Sequence, residues 1–247
     1  MSGIYQNLGD KELSQSDKQQ WEFTNESYKS ERERKDIGNY VYDRDLSDSE
    51  TAVWHNHTEK RTHVANRGSV TAYDWAVSDL QVGLGIEGKG SRFKKAERQT
   101  KDAHEKYGYT TDVSGHSLGG TVSSQITQRL GNSDWFGQAT TFNSGVSSLG
   151  KGALWSAARQ ECTKPNPPAY CGKITHLKER GDMFSNRNVV CDKLTWGLAP
   201  KTCTKTDPFG ITKYYNHTGH KRARDHFTGG MGWFMKRVRP HSLRNFV

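Results

Sequence analysis

Two glycines flank a serine in Gly115-x-Ser117-x-Gly119, with a strand-like run before them and a helix-like run after. No other feature constrains the chain as tightly. Tyr109, Thr110, Thr111 and Val113 suit a strand, although Asp112 does not. Thr121 to Leu130 reads as a helix, with Val122, Ile126 and Leu130 on one face. A serine that must attack a carbonyl is held at the tip of a sharp strand-to-helix turn. The residues two before and two after it then press on neighbouring backbone, where glycine alone leaves room. The pattern is that of a nucleophile elbow, and Ser117 is the candidate nucleophile.

At 247 residues the chain suits one α/β domain. Hydrophobic residues make up 32% and mean hydropathy is −0.92, which predicts a thin core wrapped in polar loops. Residues 1–50 read as a polar N-terminal extension carrying a surface helix around Lys11 to Arg34, packed loosely on the domain at 51–247. Thr51 to His55 and Thr62 to Asn66 predict a hairpin at the sheet edge. Ser91 to Tyr107 predicts a surface helix whose thin inner face is Phe93, Ala96 and Ala103. Gln138 to Gly145 and Lys173 to Lys178 read as further strands, with a helix over Lys151 to Gln160 between them. Gly83-x-Gly85-x-x-Gly88 follows a helix-like run and lacks the strand-before, helix-after setting of a dinucleotide site. A flexible loop or short lid fits it better.

Arg67-Gly68-Ser69, then Asp74-Trp75 and Asp79-Leu80, then Ser114-Gly115-His116-Ser117-Leu118-Gly119-Gly120, resemble the class 3 (fungal-type) lipases of the α/β-hydrolase group. The resemblance spans roughly Thr51 to the C-terminus. It implies an α/β-hydrolase fold, a mostly parallel central sheet flanked by helices in a single domain. It also implies an oxyanion hole made by Ser69 and the backbone N–H of Leu118. Asp182, just past the strand at Lys173 to Lys178, stands where that group places its triad acid, with Glu179, Asp192 and Asp207 as competitors. The order Ser, Asp, His is the one such enzymes use. His241, in Pro240-His241-Ser242-Leu243-Arg244-Asn245-Phe246, is the favoured base and His226 the alternative, while His116 reads as a packing residue of the motif. The expected activity is hydrolysis of a carboxylic ester of a lipid, with no cofactor. His55 and His57 form an H-x-H with no third ligand in view, so no metal is expected.

Net charge is +9, and the stretch from Ile211 onward holds eight Lys/Arg against the single acid Asp225. That concentration points to an anionic partner, foremost a membrane surface, and a phospholipid or monoacyl ester fits it as substrate. A nucleic acid is the less expected partner. The bland alternative is a solvated basic surface. No run of about 18 apolar residues exists to cross a membrane. The first residues lack a basic start and apolar core, so a cytoplasmic setting or carriage in a larger particle is expected over classical secretion. On that reading the sequons at Asn25, Asn56 and Asn216 are chance matches. Cys162, Cys171, Cys191 and Cys203 either pair locally, 162 with 171 and 191 with 203, or stay as free thiols. A second function class remains open: a hydrolase fold kept as a non-catalytic structural or interaction module. Acyl transfer to an alcohol would use the same residues as hydrolysis.

Overall fold

Among the described residues, ten strands and three α-helices follow one another in a computed structural model. They are β1 (Ile4–Gly9), α1 (Gln15–Glu26), β2 (Val41–Asp43), β3 (Thr51–Asn56), β4 (Arg61–Asn66), α2 (Ser91–Tyr107), β5 (Thr110–His116), α3 (Leu118–Leu130), β6 (Phe136–Phe142), β7 (Ile174–Glu179), β8 (Val189–Cys191), β9 (Cys203–Lys205) and β10 (Ile211–Tyr215). The structure describes residues 4–9, 12–69, 91–144, 158, 160–179, 189–191, 203–205 and 210–215. Of 4–9, 189–191, 203–205 and 214–215 it describes the backbone alone. Eight strands form one sheet in the order β1-β10-β7-β6-β5-β4-β3-β2. Pairing is parallel from β1 through β4 and antiparallel at β3 and β2. This is a mostly parallel central sheet flanked by helices, the α/β architecture expected above. Successive residues of a strand point to opposite faces, so the sheet serves two cores.

One face is aliphatic. Val53, Val64, Val113, Ala139 and Ile174 meet Phe93, Ala96 and Ala103 of α2 and Val122, Ile126 and Leu130 of α3. Each large apolar side chain buried there contributes about 1.5–3 kcal/mol. Helix α2 has the predicted bounds and inner face, with Thr100 added.

The other face is aromatic and polar, and α1 covers it. Phe23 is fully buried against Tyr40 and Trp54, and its ring stacks on His63 at 3.9 Å. Thr24 Oγ1 lies 2.8 Å from Ser114 Oγ, and His63 Nε2 lies 2.9 Å from the same oxygen. Beyond α1, the buried guanidinium of Arg34 donates to the carbonyls of Ser27, Lys29 and Asp48. The expectation of a loosely packed surface helix is therefore corrected. The mean polarity of the segment hid one apolar anchor and several directional bonds. The break at residue 50 marks no boundary in the sheet, since β1 and β2 both lie before it.

The hairpin of β3 and β4 is present, but β2 pairs outside β3 and takes the edge. Asp112, out of place in a strand by propensity, has a partner one strand over. Arg61 Nη2 lies 2.6 Å from Asp112 Oδ2, and the Gln138 amide donates to Oδ1 at 2.7 Å. Burial pushes this carboxyl up, with Arg61 opposing. Cys162 and Cys171 form a disulfide, the first of the two local pairings; Cys191 and Cys203 face one another in the register of β8 and β9.

His63 carries a pH signature. Complete burial, with Arg61 adding repulsion, lowers its pKa to about 3, far under the 6.5 of an exposed histidine. Between those values the unfolded chain binds the extra proton, so this contribution to stability is lost as pH falls from about 6.5 toward 3. Denaturant unfolding of wild type and His63→Gln between pH 7 and pH 4 should show a shallower loss for the variant. Parallel curves would rule out His63 as a source of the acid limb.

Candidate functional site

Ser117 occupies the turn between β5 and α3 with φ 56° and ψ −122°. Among the described residues, two other non-glycine residues have positive φ, Lys60 and Asn143. Holding a serine there costs about 1–3 kcal/mol. The glycines around it make the turn possible. A Cβ on Gly115 would run into the backbone of Gly119, and one on Gly119 into the carbonyls of Asn66 and Arg67. The first turn of α3 thus sits directly on the end of β4. Leu118 begins that helix and is 7% exposed. The leading amides of any helix lack partners within it and carry the positive end of its dipole.

The chain leaving β4 passes the nucleophile at close range. A Cβ on Gly68 would lie 3.0 Å from the Ser117 Cβ and 2.9 Å from the His116 carbonyl oxygen. Ser69, the next residue, is part-exposed beside it. Two of the segments expected to form an oxyanion hole, Arg67–Ser69 and the start of α3, are therefore brought together at Ser117.

Tyr28 lies past the end of α1 and reaches this site. Its hydroxyl accepts from the Gly68 amide at 2.7 Å and lies 2.7 Å from His116 Nδ1. Burial pushes the phenol up to about 12, so it stays protonated at ordinary pH. His116 is a hydrogen-bonded member of this group as well as a packing residue. A tyrosine outside the matching motif carries no sequence signal for such a role.

Strands β6 and β7 end on the same side as β5. The Asn143 side chain, just past β6, accepts from the Glu179 amide at 2.8 Å, and Asn143 N–H donates to the Leu177 carbonyl at 2.9 Å. These bonds fix the end of β7 two strands from Ser117, about 10 Å away at ordinary strand spacing. Glu179, a competitor for the acid role, is the last residue of β7 and is 1% exposed. Asp182, His226 and His241 lie outside the described residues, as does the loop with Gly83, Gly85 and Gly88. Of the basic residues from Ile211 onward, Lys213 pairs inward with Asp17 at 2.9 Å. Among the described residues, no group of three or more His, Cys, Asp or Glu could hold a metal ion.

No protein-family model and no curated protein matches the chain. Among solved structures it is similar to the Lip2 lipase of Yarrowia lipolytica, at 13% identity and a TM-score of 0.48, over 72% of this chain and 76% of that one. A triacylglycerol lipase of Penicillium expansum is similar at 17% identity and a TM-score of 0.37, over 74% of this chain and 69% of that one.

The close approach at Gly119 is testable. Gly119→Ala should destabilise the protein by about 2 kcal/mol or more, since backbone on both sides must part to admit a methyl. Gly172→Ala, where a Cβ meets nothing within 4 Å, should be near neutral. Equal denaturation midpoints for the two variants would contradict the packing described.

Proposed function

We propose that the protein is a serine esterase of lipase type, hydrolysing a carboxylic ester of a lipid through an acyl-enzyme. One observation carries this reading: Ser117 sits in a strained backbone conformation where glycine would be easier, with the Gly68–Ser69 turn pressed against its Cβ. Strain kept at one exposed-side turn is a signature of a working site. In the proposed mechanism Ser117 Oγ attacks the ester carbonyl while His241, or alternatively His226, takes its proton. The amides of Ser69 and Leu118 stabilise the oxyanion, a contribution of about 10²–10³ in rate per donor. The protonated base then gives its proton to the leaving alcohol, and water repeats the sequence to release the acid. Asp182 is assigned to orient the imidazole, from a position three residues past the end of β7.

This chemistry calls for no cofactor. The sequence resemblance supports a lipid ester as substrate. The basic region from Ile211 onward supports an anionic surface, with a phospholipid or monoacyl ester as the fitting substrate class. The Cys162–Cys171 bond suits an oxidising setting more than a reducing cytosol.

Turnover of short- and medium-chain p-nitrophenyl esters by wild type, Ser117→Ala, His241→Ala and His226→Ala tests the assignment. Ser117→Ala should lose up to about 10⁶ in kcat. A matching loss in His241→Ala, with His226→Ala active, supports the triad as written; the reverse result reassigns the base to His226. A wild type with no turnover and no labelling by a fluorophosphonate would remove the enzyme reading.

A further inference from the structure

We propose that Tyr28 is a positioning residue, clamping the Gly68–Ser69 turn against the nucleophile so that the Ser69 amide faces the oxyanion. The proposal rests on the esterase reading above. Hydrogen-bond accounting supports it. A tyrosine hydroxyl has one proton to give and lone pairs to receive with. Its oxygen accepts from the Gly68 amide and also lies within hydrogen-bond distance, 2.7 Å, of His116 Nδ1. One oxygen thus joins the residue before the nucleophile to the residue before Ser69. The two segments proposed to supply the hole are thereby held in register by one hydroxyl.

The clamp takes up the Gly68 amide, and the next amide in the chain is Ser69's.

Rigid support stands behind the hydroxyl. Tyr28 follows directly on the end of α1, where the Ser27 amide donates to Phe23 O at 3.0 Å and Ser27 Oγ donates to Thr24 O at 2.7 Å. Arg34 Nη2 donates to the Ser27 carbonyl at 3.0 Å, and the buried Phe23 anchors the helix to the sheet. The tyrosine is therefore carried by packed backbone. Removing the hydroxyl leaves the buried Gly68 amide without its acceptor, and the turn must move to find another. A displacement of about 1 Å at such a donor costs about 10²-fold in rate.

Tyr28→Phe keeps the ring and deletes the oxygen. Active-site titration with a fluorophosphonate, combined with ester kinetics, separates positioning from folding. The expected result is an unchanged titratable fraction and KM, with kcat per active site and the phosphonylation rate both lower by about 10- to 100-fold. Rates per active site equal to wild type would overturn the clamp, whether or not the titratable fraction falls. Retention of wild-type rates with Tyr28→Phe would leave the esterase reading standing. A wild type that neither labels nor turns over would overturn both.

Discussion

The first turn of α3 rests backbone against backbone on the end of β4, and the missing side chain at Gly119 permits it. That contact fixes where β5 must stop, where Ser117 must turn and how near the chain leaving β4 passes the serine. The same pair of strands is pinned at its opposite end by Arg61 and Asp112, a bidentate ion pair reaching from β4 to β5. Between the two anchors the register runs from Arg61 opposite Thr110 to Asn66 opposite Gly115. A slip of β5 by one residue against β4 would turn Val113 out of the aliphatic core and break both anchors.

The two sides of the sheet are built on different physics. Under α2 and α3 the contact is aliphatic, non-directional and tolerant of small shifts. Under α1 it is a set of directional bonds, Thr24 to Ser114, His63 to Ser114 and Arg34 to four carbonyls. Each would cost about 1–3 kcal/mol if one partner were buried unpaired. Such a face accepts its helix in one position. That is the face from which Tyr28 reaches the nucleophile, so the stiff side of the molecule borders the candidate site.

The central elements were legible from the sequence because their signals are local. The glycines around Ser117, the apolar spacing of Val122, Ile126 and Leu130, and the inner face of α2 each sit within one element. What escaped notice was held by distant partners. Asp112 looked wrong for a strand until Arg61, 51 residues away, stood beside it. The residues of β1, IYQNLG, have no alternating pattern and fell within the polar N-terminal extension; those of β10 fell within the basic stretch from Ile211 onward. Both are strands because the sheet offers them unpaired backbone. Tyr28 carries no local signal as a hydrogen-bonding group, since α1 ends before it and Gly68 is 40 residues on.

The outermost parallel pair of the sheet joins Ile4 to Ile211, so a strand at residues 4–9 is completed by one at residues 211–215. During synthesis β1 has no neighbour until β10 has emerged, and β7 presents an open edge for the same interval. Contacts of such long sequence separation are slow to form, because the intervening loop must close first. Of the described strands β10 is made last and completes the pairing of both β7 and β1, and a ribosome-bound chain stopped short of residue 211 would carry an exposed strand edge open to pairing with another chain.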